Sequence, residues 1–334
     1  MIHTRVCELF GIEHPVLLGP MGSATGAALA AAVSNAGGLG TIGCVGRTPD
    51  WIAQTAREIR EKTDRPFGLN LLLFDADKAA MEAVFDARPP VFSSAWAWPD
   101  QDLHALFSRA HGLGARVMHM VSGVPEARRA ADAGADAIVA QGTEGGGHVG
   151  LMGTMALVPQ VVRAVAPTPV IAAGGIATGE GLAAALALGA EGVLVGTRFL
   201  ATPEAPVADG FKRAVLASDG HDTILTEIPD IARGRVWPGA YSRVVRNRLI
   251  EAWAGREGEL RARRAEIGAA MVQAFQSGDA EGASLFIGQD AGLIDAIVPA
   301  AEIVTRMVAD AEAALRRAAA AIRSSPSPTG RGKG

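Results

Sequence analysis

The 334-residue chain holds two cysteines and a single tyrosine, and aromatic residues make up 5% of it. Cys7 and Cys44 cannot build a disulfide framework, and no cysteine–histidine cluster has metal-ligand spacing, so buried or free thiols in a reducing compartment, and no bound metal, are expected. An excess of one charge is also missing. Thirty-one lysines and arginines face 35 aspartates and glutamates, a net charge of −4 without long single-sign blocks, which speaks against nucleic acid or an anionic membrane as partner. No apolar run reaches the roughly 20 residues that cross a bilayer, and "MIHTRVCELFGIEHPV" has no basic stretch before an apolar core. The expectation is a cytoplasmic protein with a small-molecule ligand; homo-oligomerisation is left open.

What is present is a rhythm. From Pro15 to about Leu200, short apolar runs alternate with alanine-rich amphipathic stretches, as in βα units. Eight strands are expected: Val16–Met21, Leu39–Gly43, Phe67–Leu73, Val91–Ala95, Arg116–Val121, Ala137–Gly142, Pro169–Gly174 and Gly192–Phe199. Helices such as Thr25–Asn35, Pro49–Lys62, Asp100–His111, Pro125–Ala133 and Gly179–Leu188 fall between them, with glycines placed for left-handed caps. This predicts a (β/α)8 TIM barrel over residues 1–203, with an open doubly wound sheet as the alternative. Arginine- and tryptophan-bearing stretches with little strand character, "YSRVVRNRLIEAWAG" among them, predict a mainly helical insertion or lid over 204–282. Residues 283–323 should return to the barrel as its last helix, and 324–334 should be a disordered tail.

A barrel of this kind builds its site at the C-terminal ends of its strands. There the chain carries Met21 and Gly22 after strand one, Asn70 in strand three, His119 in strand five, and "QGTEGGGHVG" (141–150) after strand six. Three glycines before His148 imply a backbone that must come close to something. Gly174 and Gly175 after strand seven, with Gly196 and Thr197 after strand eight, could present main-chain N–H groups to a phosphate; the plain alternative is two tight turns.

The stretches "AQGTEGGGHVG", "PVIAAGGIATGEGLAAALALGAEGVLVGTRF", "PMGSATGAALAAAVSNAGGLGTIG" and "FGLNLL" together resemble the nitronate monooxygenase family, formerly 2-nitropropane dioxygenases. The resemblance covers most of the first 200 residues and implies an FMN-dependent barrel. It implies flavin contacts at Asn70, Gln141 and Gly146, and phosphate loops at Gly174, Gly175, Leu194, Val195, Gly196 and Thr197. Main chain beside the isoalloxazine is implied at Met21 and Gly22, and a catalytic histidine at His148. The family commonly has alanine where this chain has Gly145. Gln141 would then meet the flavin edge with an amide that both donates and accepts. His148 would act as base on a neutral nitroalkane, or as hydrogen-bond donor to a nitronate, while O2 yields carbonyl compound and nitrite.

The same motifs, with "GHVGLMGTMALVPQVV" and "GASLFIGQDAGLI", also resemble the flavin-dependent enoyl-acyl-carrier-protein reductases, which tend to have an acidic residue where Gln141 stands. An NAD(P)H-dependent quinone reductase, a non-catalytic flavin barrel and a flavin-free phosphosugar isomerase are further alternatives. FMN is expected over FAD because the loops suit one phosphate monoester and no GxGxxG opens a βαβ unit. His119 could face the barrel interior or the helices. Trp96 and Trp98 could line a pocket, and Tyr241 and Trp237 could belong to a lid.

Overall fold

The computed structural model describes residues 2–323; the tail expected at 324–334 lies outside the described residues. Among the described residues, eleven strands occur in chain order: β1 Val16–Leu18, β2 Gly40–Gly43, β3 Phe67–Leu72, β4 Val91–Ala95, β5 Arg116–Val121, β6 Ala137–Gln141, β7 Gly147–Val149, β8 Val170–Ala173, β9 Gly192–Val195, β10 Thr223–Thr226 and β11 Tyr241–Val245. Eight form one parallel sheet in the order β1-β9-β8-β6-β5-β4-β3-β2. A parallel bridge between Leu17 and Leu39, with Leu18 N donating to Leu39 O at 2.9 Å, joins the first strand to the last and closes the ring. The fold is a (β/α)8 barrel, and the open sheet is set aside.

Alternation along the strands sorts the side chains into two cores. Leu17, Leu39, Val91, Met118, Val139, Ile171 and Leu194 fill the interior. Val6, Cys7 and Phe10 of the helix Arg5–Phe10 join them and plug the N-terminal end. Residues one step along the strands, such as Leu18, Phe92, Val117, Ile138 and Val193, pack outward against the helices. Each such Leu, Ile, Val or Phe removed from water contributes roughly 1.5–3 kcal/mol before entropy is charged against it. Both cysteines are buried, and burial pushes the Cys44 thiol up to about 12, which leaves it unreactive.

The helix Ala300–Arg323 closes the outer ring by packing against the helices Gly179–Ala187 and Ala27–Asn35. Its backbone comes so near Gly179 that a Cβ there would stand 2.5 Å from Ala311 N. Strand boundaries differ from expectation at one end. β1 stops at Leu18 rather than Met21, and β9 stops at Val195, with Thr197–Leu200 turning into a helical segment just where the site begins.

Residues 204–282 hold five helices, the longest Arg264–Ser277, around a small core of Ile228, Ile231, Val244, Ile250, Trp253 and Met271. They also hold strands that periodicity did not suggest. The stretch read as one helix from Tyr241 splits into β11 and the helix Arg248–Trp253, with Asn247 capping the helix by accepting from Ile250 N. β10, β11 and β7 form a second, antiparallel sheet. β7 belongs to the glycine–histidine loop, so the insertion is hydrogen-bonded directly onto it, with Ser242 opposite His148 and Arg243 opposite Gly147.

Candidate functional site

A cavity of about 520 Å³ opens at the C-terminal end of the barrel. Its floor is Met120, Ala173 and Leu194, interior residues from three strands. Pro20, Met21 and Gly22 line one wall, and Asn70 reaches it with Nδ2 donating to Ser93 Oγ at 2.9 Å. Gln141, Gly146 and His148 form another wall; Gly174, Gly175, Gly196 and Thr197 line the far end. Val195 is the exception among the expected residues, because its side chain points outward into the helix layer and only its main chain lies near.

The far end is a ring of main-chain donors. Gly174 and Gly175 have φ of +94° and +74°, values that side-chain-bearing residues rarely adopt, and these turn the chain sharply after β8. The N–H groups of Gly175, Gly196 and Thr197 have no acceptor among the described residues. Donors left open on a cavity wall suit an anion such as a phosphate ester. Thr197 Oγ1 accepts from Gly288 N at 2.9 Å, and its hydroxyl bonds the Asp290 carboxyl, which burial raises from 3.8 to about 6. Asp290 lies in the "IGQD" stretch that Gly146 abuts so closely that a Cβ would be 2.5 Å from Ile287 C.

Among the lining residues, Gln141 Oε1 is buried without a protein partner, and so is Trp237 Nε1. A buried amide oxygen of this kind costs stability unless something meets it. A flavin-sized ring with an anionic tail therefore fits the residues present: donors at one end, an unmatched amide beside the floor, and glycines that keep the walls back.

His148 sits on β7 with its side chain about one-tenth exposed. Nε2 is 2.8 Å from Asp230 Oδ1 and 3.0 Å from Ser242 Oγ, and Ser242 Oγ donates to Asp230 Oδ2 at 2.8 Å. Trp237 stacks on the imidazole with centroids 3.3 Å apart and planes 11° from parallel, and Phe286 flanks it at 5.7 Å. Burial holds the His148 pKa below the ordinary histidine value; the Asp230 hydrogen bond and charge oppose that, while Arg233 and Arg235 reinforce it. Burial therefore favours the neutral ring.

The mouth is cationic. Arg47, Arg233 and Arg235 line the cavity, and neither Arg47 nor Arg233 has an ion-pairing carboxylate among the described residues, whereas Arg235 pairs with Asp75 at 3.1 Å. Arg47 lies over Trp51 and Arg233 over Phe286. Burial lowers the Arg233 pKa although its surface is exposed, because that surface looks into the cavity.

Of the sequence candidates, Trp96 and Trp237 line the cavity, whereas Trp98 and Tyr241 are exposed and stand outside it. His119 faces the helices: Nδ1 pairs with Ser94 Oγ at 2.8 Å, the ring lies 5.7 Å from Phe107, and burial lowers its pKa to about 3. Asp230, Ser242, Asp290 and the three arginines were not singled out from the sequence. Asp230 in "IPDIAR" carries no recognisable spacing to His148, since the contact spans 82 residues.

The nitronate monooxygenase family model matches residues 3–86 and 75–310. A Mycobacterium tuberculosis protein, (3aS,4S,5R,7aS)-5-hydroxy-7a-methyl-1-oxo-octahydro-1H-indene-4-carboxyl-CoA dehydrogenase, is 42% identical over 253 residues, 75% of this chain and 68% of that one. Among solved structures, FabK from Thermotoga maritima superposes with a TM-score of 0.87 at 36% identity, covering 96% of this chain and all of that one, in keeping with the second resemblance of the glycine–histidine loop. Nitroalkane oxidase from Streptomyces ansochromogenes follows with a TM-score of 0.81 at 28% identity, covering 94% and 99%.

Proposed function

Because the chain belongs to the nitronate monooxygenase family and is a flavin-dependent oxidoreductase, we propose that it binds FMN and oxidises alkyl nitronates with O2 to carbonyl compounds and nitrite. Two nitronates and one dioxygen balance two carbonyl compounds and two nitrites. The bound flavin supplies the redox chemistry, and the protein supplies placement and electrostatics.

Gly174, Gly175, Gly196 and Thr197 would hold the phosphate, with Leu194 and Val195 bringing the chain to that loop. Gln141 and Asn70 would meet the ring, Gly146 would leave it room, and Met21 and Gly22 would lie along it. The observation that carries the reading is that His148 lines the same cavity as the open glycine-loop donors. Substrate would sit between His148 and the ring. With a neutral nitroalkane, His148 takes the proton beside the nitro group; with a nitronate, it donates a hydrogen bond, its cation favoured by the anion beside it.

The test is aerobic turnover of several nitronates with nitrite quantified, after the cofactor has been released by heat and identified by chromatography. FMN and stoichiometric nitrite are expected. FAD, or no flavin in protein supplied with excess FMN, contradicts the cofactor assignment, and absence of nitrite contradicts the reaction.

The three arginines at the mouth favour a second reading. They suit the phosphates of a nucleotide-linked partner, as in an NAD(P)H-dependent reductase of enoyl thioesters or quinones, or in a dehydrogenase of a CoA thioester like that named for the Mycobacterium tuberculosis relative. Bleaching of the flavin by NAD(P)H alone, without nitrite formation from nitronates, would establish the reductase in place of the first reading.

A further inference from the structure

We propose that Asp230 and Ser242 are positioning residues that fix the tautomer of His148, so that Nε2 carries the proton and Nδ1 is the acceptor presented to the substrate. The inference rests on the reading of His148 as the base on neutral nitroalkanes.

It follows from counting protons at three atoms. Ser242 has one hydroxyl proton, and Oδ2 of Asp230 receives it at 2.8 Å. The serine oxygen then faces His148 Nε2 at 3.0 Å with a lone pair, and Asp230 Oδ1 faces the same nitrogen at 2.8 Å with negative charge. Two acceptors around one nitrogen are satisfied only if that nitrogen carries hydrogen. A bare Nε2 would set a lone pair against a carboxylate in a site shielded from water, where such repulsion is least screened. Nδ1 is left as the basic nitrogen, and it has no protein partner among the described residues.

The geometry is over-determined. Ser242 stands directly opposite His148 in the β11–β7 ladder, Asp230 comes from the helix Ile228–Arg233, and Trp237 covers one face of the ring. Residues 204–282 thus supply, among the described residues, every polar side-chain contact of the His148 imidazole. On proton transfer the C–H bond beside the nitro group breaks, its electron pair delocalises into that group, and the proton bonds to Nδ1. Asp230 then faces an imidazolium and stabilises it against the cationic Arg233 and Arg235 nearby.

The test reads the histidine itself. In ¹⁵N-histidine-labelled, flavin-loaded protein, long-range proton–nitrogen correlations distinguish the two tautomers of His148. The wild type should show a protonated Nε2 and a bare Nδ1. Asp230→Asn should lose that pattern, and its nitroalkane kcat/KM should fall about 10²–10⁴-fold, the range for a lost or misdirected base. Its apparent pKa should move lower, since Arg233 and Arg235 then act on the ring without a facing carboxylate. Oxidation of preformed nitronate should fall far less.

Ser242→Ala, which keeps the carboxylate, should shift the same signals and cost less than Asp230→Asn; it decides the matter if the asparagine variant does not fold. An Nδ1-protonated wild type, or a His148 spectrum and pH profile unchanged in the folded variants, overturns the assignment. A wild type with the expected tautomer but no nitrite from any substrate would sink the functional reading and leave the positioning role standing.

Discussion

At the scale of single residues, burial decides what each titratable group can do. His119 and His148 are both buried imidazoles, yet one faces Ser94 among apolar helices and the other faces a carboxylate beside a cavity. Only the second has both an orienting partner and access to a ligand, and strand alternation alone could not tell them apart. Asp290 is the acid bonded to Thr197 at the far end of the cavity, and its carboxyl is raised from 3.8 to about 6. In that window the folded protein keeps a proton that the unfolded chain releases, so stability should fall as pH rises from about 4 to about 6 and stay lower above it. Asp290→Asn keeps the shape and removes the titration. It should be more stable than wild type above about pH 7, by something on the order of 1–3 kcal/mol, and equal to it near pH 4. Thermal melts of the flavin-free protein across that range check this, and parallel pH slopes for the two proteins would contradict it.

Among elements, the strands that could be read in advance are those whose burial is a property of their own sequence. All eight barrel strands are short apolar runs between helices, and each appears where its run lies. β10 and β11 are legible only in hindsight. "YSRVV" mixes polar and apolar residues, and it becomes a strand because β7 offers an edge to pair with. The glycine loops were legible for a different reason, since glycine is by far the residue best suited to the conformations after β8. Gly175 shows the constraint: its φ is +74°, and a Cβ would stand 3.0 Å from Glu144 Cβ. Gly175→Val should cost about 1–3 kcal/mol of backbone strain and push the loop off the phosphate. Circular dichroism should report a folded barrel and absorbance should report little bound flavin; a variant that purifies with a full complement of flavin would remove this loop from the cofactor site.

For the whole molecule, the barrel brings the cavity floor and the open glycine-loop donors to one end, and residues 204–282 bring the partners of His148. These two contributions differ in how far they could be foreseen. The barrel residues of the site recur at strand ends, so Met21, Asn70, Gln141, Gly174 and Gly196 all reach the cavity they were expected to share. Asp230 reaches His148 from 82 residues away on the helix Ile228–Arg233, and Ser242 from 94 residues away through a sheet that pairs β11 with β7. The arginines of the mouth likewise come from distant segments, Arg47 after β2, Arg233 at the end of the helix Ile228–Arg233 and Arg235 just beyond it, and converge only in three dimensions. In the function we propose, the assembled pocket places His148 over a flavin as a base, and the two substrates separate its roles. His148→Asn, assayed with flavin still bound, should lose about 10²–10⁴-fold on neutral nitroalkane and keep much more of its activity on preformed nitronate, which arrives without the proton. Equal and small losses on both substrates would contradict the claim and leave His148 a structural residue of its loop.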